Sequence, residues 1–345
     1  MADLRFAVMG TGFWANYQIP AWFEVGGVEL VAAYNRTLSK AEKVAEKFDI
    51  PRVYGDAEEL FQKEELDFVD IITEVPAHES LVLLAAKYRV PVICQKPMAP
   101  DYETAQKMVQ ACRDAGIPFF VHENFRWQRP LRALKGVLAE RDAQAHIGQP
   151  VRARIQFVHG IEEFVWENQP MLKQLKRFAL TDIGSHMLDL ARFFFGEPES
   201  LYCQHFQMRD DIAGEDAASV ILKIGDMMCA VDISYSTKTE GVHFPETFVT
   251  VEGKKGTVEL GPDYTLRITT DQGTHVRRYA PPRYPWCDPD YNVAHASMVP
   301  IHQDFLRAFR TGQPPETTGE DNLKTMRLVY AAYDSAERNQ VITFN

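Results

Sequence analysis

A chain of 345 residues is longer than the roughly 250–300 that one hydrophobic core usually supports, so two domains are expected. With 46% hydrophobic and 25% charged residues and a mean hydropathy of -0.27, the composition is that of a soluble globular protein. Its net charge of -11, from 37 Lys and Arg against 48 Asp and Glu, and its lack of a basic run give no support to nucleic acid or an anionic membrane as partner. Five scattered cysteines, Cys94, Cys112, Cys203, Cys229 and Cys287, form no C-x-x-C pair, which argues against a disulfide framework or structural zinc site and fits a reducing compartment. No charged-then-apolar leader precedes the first strand and no run reaches the roughly 20 apolar residues that span a bilayer; a cytoplasmic protein is expected.

The chain opens with an apolar run, Phe6 to Met9, that breaks into Gly10-Thr11-Gly12 and then into a stretch able to wind as a helix from about Phe13 to Val25. Strand, glycine turn and helix in that order gather backbone N–H groups and the positive end of a helix dipole at one point, which is a site for a pyrophosphate. The spacing is G-x-G-x-x-A: Gly10 makes the tight turn, Gly12 lets phosphates approach the backbone, and Ala15 keeps the helix close to its strand. Val28 to Tyr34 reads as a strand buried on both faces, ending in Asn35-Arg36-Thr37, and Ser39 to Phe48 as an amphipathic helix with Ser39 as its cap. Asn35 can bond a ribose hydroxyl and Arg36 can stack on adenine or pair with a 2′-phosphate, so NAD and NADP both remain open. Further units follow at Asp67 to Ile72 with Ala77 to Arg89, at Val90 to Cys94 with Asp101 to Ala115, and at Pro118 to Val121. Such alternation predicts a doubly wound α/β sheet with helices on both faces over residues 1–122.

After His122 the pattern changes. Residues 127–140 suit one more helix, His146 to Pro150 a turn, and strand-like runs follow at 151–158, 201–207, 217–224, 228–236, 246–252, 257–260, 264–270 and 274–279, with a helix at 181–195 between the first two. This predicts an α+β domain over 123–345 with a large, mostly antiparallel sheet, closed by helices at 300–311 and 321–338.

Three groups of residues can do chemistry. Lys96, in Gln95-Lys96-Pro97, lies at the carboxyl end of a strand, where open α/β sheets bind ligands; a plain surface lysine is the competing reading. Asp182, His186 and Asp189 fall at i, i+4 and i+7, so a carboxylate can orient an imidazole that takes a proton; alternatively Asp182 favours the helix N-terminus and His186 packs in the core. A metal reading of that pair lacks a third ligand at recognisable spacing, and no metal is expected. His122, Asn124 and Arg126 form a polar edge that suits substrate or interdomain hydrogen bonds. The loop 160–178, with Phe164, Trp166, Lys173, Lys176 and Arg177, can cover a small polar substrate or make an oligomer contact.

In that order, G-x-G-x-x-A at 10–15, Lys96-Pro97, Asn124-x-Arg126 and D-x-G-x-H at 182–186 resemble the Gfo/Idh/MocA (glucose-fructose oxidoreductase, inositol dehydrogenase, rhizopine catabolism) family. The closing segment, Thr318 to Asn322 and Tyr330 to Ser335, is similar to that family's C-terminal helix. The resemblance implies a Rossmann domain followed by an α+β domain, NAD or NADP as cofactor, and hydride transfer at a sugar or polyol carbon. It places the catalytic lysine, aspartate and histidine on Lys96, Asp182 and His186. Cofactor contacts are implied for Gly10, Thr11, Gly12, Phe13, Trp14, Asn35, Arg36, Thr73, His78, Gln95 and Lys96, and substrate contacts for Lys96, His122, Asn124, Arg126, Trp166, Asp182 and His186. Two departures stand out: Gln95 replaces the usual Glu, and Thr73-Glu74-Val75-Pro76-Ala77-His78 keeps the threonine and histidine of Thr-Pro-Asn-x-x-His but not the asparagine. The strings FWANYQIPAW, ICQKPMAP and HENFRWQ are most similar to a subgroup acting on a branched pentose. The expectation is therefore a homodimeric or homotetrameric dehydrogenase that oxidises a ring hydroxyl or hemiacetal of an unphosphorylated sugar. An inositol or polyol dehydrogenase, or a catalytically silent dinucleotide-binding regulator, are the alternatives.

Overall fold

Short apolar runs buried on both faces build the N-terminal sheet of this computed structural model, which describes residues 2–139, 147–160, 163–238 and 244–344, with 163 and 164 described by backbone alone. The first elements are β1 (Leu4–Met9), α1 (Ala15–Val25), β2 (Val28–Tyr34), α2 (Leu38–Phe48), β3 (Arg52–Tyr54), α3 (Ala57–Lys63), β4 (Phe68–Ile71), α4 (His78–Tyr88), β5 (Val92–Gln95), α5 (Tyr102–Ala115) and β6 (Phe119–His122). All neighbours pair in parallel, in the order β3-β2-β1-β4-β5-β6. The order reverses between β1 and β4, and the crevice at their carboxyl ends is where this topology binds ligands.

Helix starts follow local chemistry. Asp56 and Asp101 accept from Glu59 N (2.9 Å) and Thr104 N (2.7 Å) and so cap α3 and α5. Ser39 does not cap α2, because Asn35 Oδ1 accepts from Thr37 N (2.8 Å) and turns the chain into the helix at Leu38. The short pair β3 and α3 was not legible in the sequence, since a three-residue strand carries too little periodicity to register.

The remaining elements are α6 (Arg129–Ala139), β7 (Pro150–Val158), α7 (Glu163–Asn168), α8 (Ile183–Phe195), β8 (Ser200–Phe206), β9 (Ala217–Ile224), β10 (Met227–Ser234), β11 (Phe248–Gly253), β12 (Gly256–Gly261), β13 (Thr265–Thr270), β14 (Gly273–Arg278), α9 (Asn292–Ala296), α10 (Met298–Thr311), α11 (Gly319–Arg338) and β15 (Ile342–Thr343). Among the described residues they form a nine-stranded sheet, β14-β13-β12-β11-β7-β10-β9-β8-β15, antiparallel except for β7 with β10. One face alternates inward: Ile155, Phe157, Val220, Leu222, Val231 and Val251 join Ile183, Met187 and Leu188 of α8 in a single core. The turn expected from His146 begins outside the described residues, as do residues 161 and 162 of the expected loop and the Phe164 side chain.

The chain divides into two units, Met1–Glu123 with Met298–Met326, and Asn124–Ser297 with Arg327–Asn345. The segment 298–326, expected in the second domain, clusters here with the Rossmann sheet. Phe305 stacks on Phe120 (5.4 Å) and Phe309 on Phe68 (4.8 Å), and Val121 N donates to Thr317 O (2.9 Å). Among the described residues no helix is long and apolar enough to cross a membrane.

Candidate active site

The nucleotide-binding features stand at the carboxyl ends of β1, β2 and β4. Gly10 has φ of 110°, and a Cβ there would sit 2.6 Å from the carbonyl of Ile72 at the end of β4, so only glycine closes this turn. At Gly12 a Cβ would meet nothing within 4 Å; the backbone there borders open space. The first turn of α1 carries no acidic residue, and Trp14 caps it without a side-chain hydrogen bond. The Thr73 hydroxyl is buried without a hydrogen-bond partner. A helix N-terminus free of negative charge, an open glycine backbone and an unsatisfied hydroxyl fit a pyrophosphate. Phe13, Trp14 and Tyr17 pack edge to face beside the turn, Phe13 at 5.2 Å from each of the other two rings. Thr11 Oγ1 accepts from Asn35 Nδ2 (2.7 Å), which ties the glycine turn to the end of β2, while Arg36 is exposed.

Lys96 follows β5 directly and is part-buried. Its N–H donates to Gln95 Oε1 (2.9 Å), and Gln95 Nε2 donates to Gln18 Oε1 (2.5 Å). Gln95, expected at a cofactor ribose, thus has both ends of its amide engaged inside the protein. His78, also expected at the cofactor, is wholly buried between two carbonyls, Thr73 O (3.0 Å) and Met98 O (3.3 Å). Burial lowers its pKa, and the neutral ring, with one N–H to donate, bonds one of these carbonyls and packs against the other, beside the loops after β4 and β5.

The residues expected to act as acid and base begin α8. Asp182 is its N-cap residue, and its Oδ2 accepts from Tyr235 Oη (2.7 Å). Burial first, then the Asp182 charge, push the Tyr235 phenol far above its usual value, so it remains a donor. His186 is buried, with its ring stacked on Phe125 (3.9 Å, 15°). Gly184 lies between them because a Cβ there would come within 3.1 Å of Ala179 O and Ile233 Cδ1, which the close seat of α8 on β10 does not allow without movement.

Several expected contacts turn out to be structural. Arg126 donates through Nε and Nη2 to Asp189 (2.5 and 2.7 Å) in a buried bidentate pair that Arg192 joins at 3.5 Å; both residues brace α8, and Asp189 is not left to orient His186. His122 is fully buried, its Nε2 at 3.0 Å from Nε2 of His302. Asn124 donates to Ala294 O (3.2 Å) and Ser297 Oγ (2.8 Å) and ties α9 to the start of its unit. Trp166 is core rather than lid: it is 3% exposed, packs on Phe178, and carries Lys173 and Arg209 over its ring. Two of the loop cations are paired on the surface, Lys173 with Asp211 and Arg177 with Glu337.

Sequence reasoning missed four polar residues that position these groups: Tyr235, Glu215, Gln18 and Asp70. Glu215 is buried and accepts from Phe178 N, Leu180 N (3.0 Å) and Tyr333 Oη (2.6 Å), fixing the turn that leads into Asp182. Asp70 is wholly buried in β4 and accepts from Trp22 Nε1 (2.9 Å) and Gln18 Nε2 (3.3 Å). A charged residue inside an apolar run, as in Phe68-Val69-Asp70-Ile71-Ile72, was the available signal for Asp70.

Comparison with known proteins agrees with this geometry. Residues 4–123 match the GFO_IDH_MocA model, an oxidoreductase family with an NAD-binding Rossmann fold, and residues 138–259 match the GFO/IDH/MocA C-terminal domain. A D-apiose dehydrogenase of Rhizobium rhizogenes (strain K84) is 38% identical over 343 residues, covering 99% of this chain and 98% of its own. Another, from Paraburkholderia graminis, is 39% identical over 337 residues, covering 97% and 88%. The crystal structure of an oxidoreductase from Agrobacterium radiobacter in complex with NAD+, L-tartaric acid and magnesium superposes with a TM-score of 0.95 at 38% identity, covering 99% of this chain and 98% of its own.

Proposed function

Because the chain belongs to the Gfo/Idh/MocA family of NAD-binding oxidoreductases, we propose that it is a D-apiose dehydrogenase that oxidises the ring hemiacetal of this unphosphorylated branched pentose to the lactone. The observation that carries the reading is the 38–39% identity, over nearly the full length, to two D-apiose dehydrogenases in a chain that keeps Lys96, Asp182 and His186. A regulator that only senses dinucleotide would have no need of all three.

When bound, a nicotinamide dinucleotide supplies a hydride acceptor. Gly10, Thr11, Gly12, Phe13, Trp14 and Thr73 would hold it, with Asn35 and Arg36 toward the adenosine end. Oxidation of an alcohol removes a hydride from carbon and a proton from its oxygen, leaving a carbonyl. We assign the proton to the imidazole of His186, whose ring Phe125 fixes from one face. The Asp182 carboxylate, itself held by Tyr235, stabilises the imidazolium that results. The Lys96 ammonium polarises the reacting oxygen and lowers its proton affinity. Substrate contacts at His122, Arg126 and Trp166 are not part of this reading, since those side chains are engaged by internal partners. We place the enzyme in the cytoplasm as a homodimer or homotetramer.

The test is a reduced-nicotinamide absorbance screen over pentoses, hexoses, inositols and their phosphates with NAD+ and NADP+. Turnover of D-apiose above the other sugars supports the proposal. Activity on inositols alone discards the branched pentose and keeps the division of labour, while a preference for phosphorylated sugars or binding of neither dinucleotide overturns it.

A further inference from the structure

A buried chain of hydrogen bonds runs from the catalytic loop into the centre of the Rossmann sheet, and every donor in it points the same way. Lys96 N–H donates to Gln95 Oε1 (2.9 Å), Gln95 Nε2 to Gln18 Oε1 (2.5 Å), and Gln18 Nε2 to both oxygens of Asp70 (3.3 Å each), which also accepts from Trp22 Nε1 (2.9 Å). Gln18, Asp70 and Trp22 are 0% exposed and Gln95 8%, so water does not substitute for a lost partner. An amide can be turned end for end at no cost in shape, so neither glutamine fixes its own direction. Only an ionised carboxylate, which accepts and never donates, does so.

We propose that Asp70 is a positioning residue for Lys96, acting through Gln18 and Gln95 by setting the polarity of this relay. The proposal rests on the assignment of Lys96 as catalytic. Swapping the acidic end has a predictable outcome. In Asp70→Asn an N–H donor enters at the far end: the relay either reverses, and Gln95 turns its Nε2 onto the N–H of Lys96, or it keeps a buried donor without acceptor. In Gln95→Glu the N–H of Lys96 keeps its acceptor, but Gln18 then stands between two carboxylates and turns its oxygen onto one of them. In the double variant every group is satisfied again. The amide introduced at position 70 accepts from Trp22 and donates to Gln18 Oε1, Gln18 Nε2 donates to the carboxylate introduced at position 95, and that carboxylate accepts from Lys96 N–H. Other titratable groups near Asp70 are the Cys94 thiol of β5, held protonated by burial and by the Asp70 charge, and His302, stacked on Trp22 (4.0 Å) and held neutral by burial.

The experiment is a double-mutant cycle at about pH 8, above the value of about 7 to which burial raises the Asp70 carboxyl. Each single variant should lower kcat by about 10-fold or more, the scale of one unsatisfied buried donor or acceptor, and the double variant should return to within about 3-fold of the parent. Amide hydrogen exchange of segment 95–98 in the dinucleotide-free protein reads the same cycle without catalysis: faster in each single variant, restored in the double. Losses that add in the double variant, in kcat and in exchange, overturn the relay. A parent protein inactive on every sugar, with the exchange cycle intact, removes the catalytic assignment of Lys96 and leaves the relay standing. Should either single variant fail to fold, exchange and kcat of the remaining single and the double decide.

Discussion

At the scale of single residues the assignment of chemistry to Lys96 and His186 is separable from binding. Lys96→Met and His186→Ala each remove a polar or proton-accepting group while sparing Gly10, Gly12 and Thr73. Turnover should therefore fall at least about 10²-fold with NAD+ affinity within a few-fold of the parent, by steady-state kinetics and fluorescence titration. Near-parental turnover in both variants would remove the site. Asp70 offers a second test, on stability. Burial raises its carboxyl to about 7 in the folded protein, against an ordinary value near 4 when unfolded. The folded state thus binds this proton more tightly. Its contribution to stability is fully present below about pH 4 and is lost as pH rises toward 7, by up to ~4 kcal/mol. Buried histidines such as His302 and His78 have lowered pKa values and work in the opposite sense, so the parent curve alone does not isolate the aspartate. The difference between Asp70→Asn and parent does: denaturant titrations across this range should show the variant gaining on the parent as pH rises. A difference independent of pH would mean that burial does not move the Asp70 carboxyl from its unfolded value. A variant at least as stable as the parent at alkaline pH, yet slower, would mark the carboxylate as kept for position.

At the scale of elements, α8 shows how a helix is made to present chemistry at its first turn. Its inner face packs into the sheet core, Arg126 with Asp189 and Arg192 braces its middle, and Glu215 gathers the N–H groups of Phe178 and Leu180 just before it. Glu215→Gln keeps the shape but turns an N–H donor toward groups that are all donors. It should destabilise the protein by about 1–3 kcal/mol, seen as a lower denaturant midpoint with unchanged slope. No change in midpoint would mean the turn is held by packing alone. The proposed catalytic triple stands out in the sequence because its residues are close together or next to a strand end: Lys96 beside Pro97, Asp182 and His186 one helical turn apart. The supports were not. Gln18 and Gln95 lie 77 positions apart, Tyr235 and Asp182 53, so only the fold brings them together. Arg126 and Trp166 illustrate the converse: a polar or aromatic residue near a motif looks functional until its buried partners, Asp189 and Phe178, are seen.

At the scale of the whole molecule, the two sheets were legible because strand burial writes itself into hydrophobic pattern, continuous in β2 and alternating in β9. The return of residues 298–326 to the first unit was not, since an amphipathic helix shows that it packs but not on which sheet. The same alternation that fills the core of the second unit leaves the other face of its sheet open, and this face carries the argument for self-association. On it Ile221 and Met228 are 45% and 42% exposed, and Phe206 at the end of β8 60%. Its charges are largely matched within the sheet, Arg154 with Asp232 and Arg152 with Glu252, each at 3.3 Å, so a second copy would meet little unpaired charge. An apolar set between neutralised charges on a broad sheet is the composition of an interface centre. A closed dimer through a self-complementary face is the simplest assembly, and a tetramer requires a second contact. The pair Ile221→Asp and Met228→Asp places two charges where a second copy would bury them. Light scattering after size exclusion should give a multiple of 39.3 kDa for the parent and a shift to a lower multiple for the variant, with circular dichroism unchanged. A monomeric parent would refute self-association, and an unshifted variant would move the contact off this face.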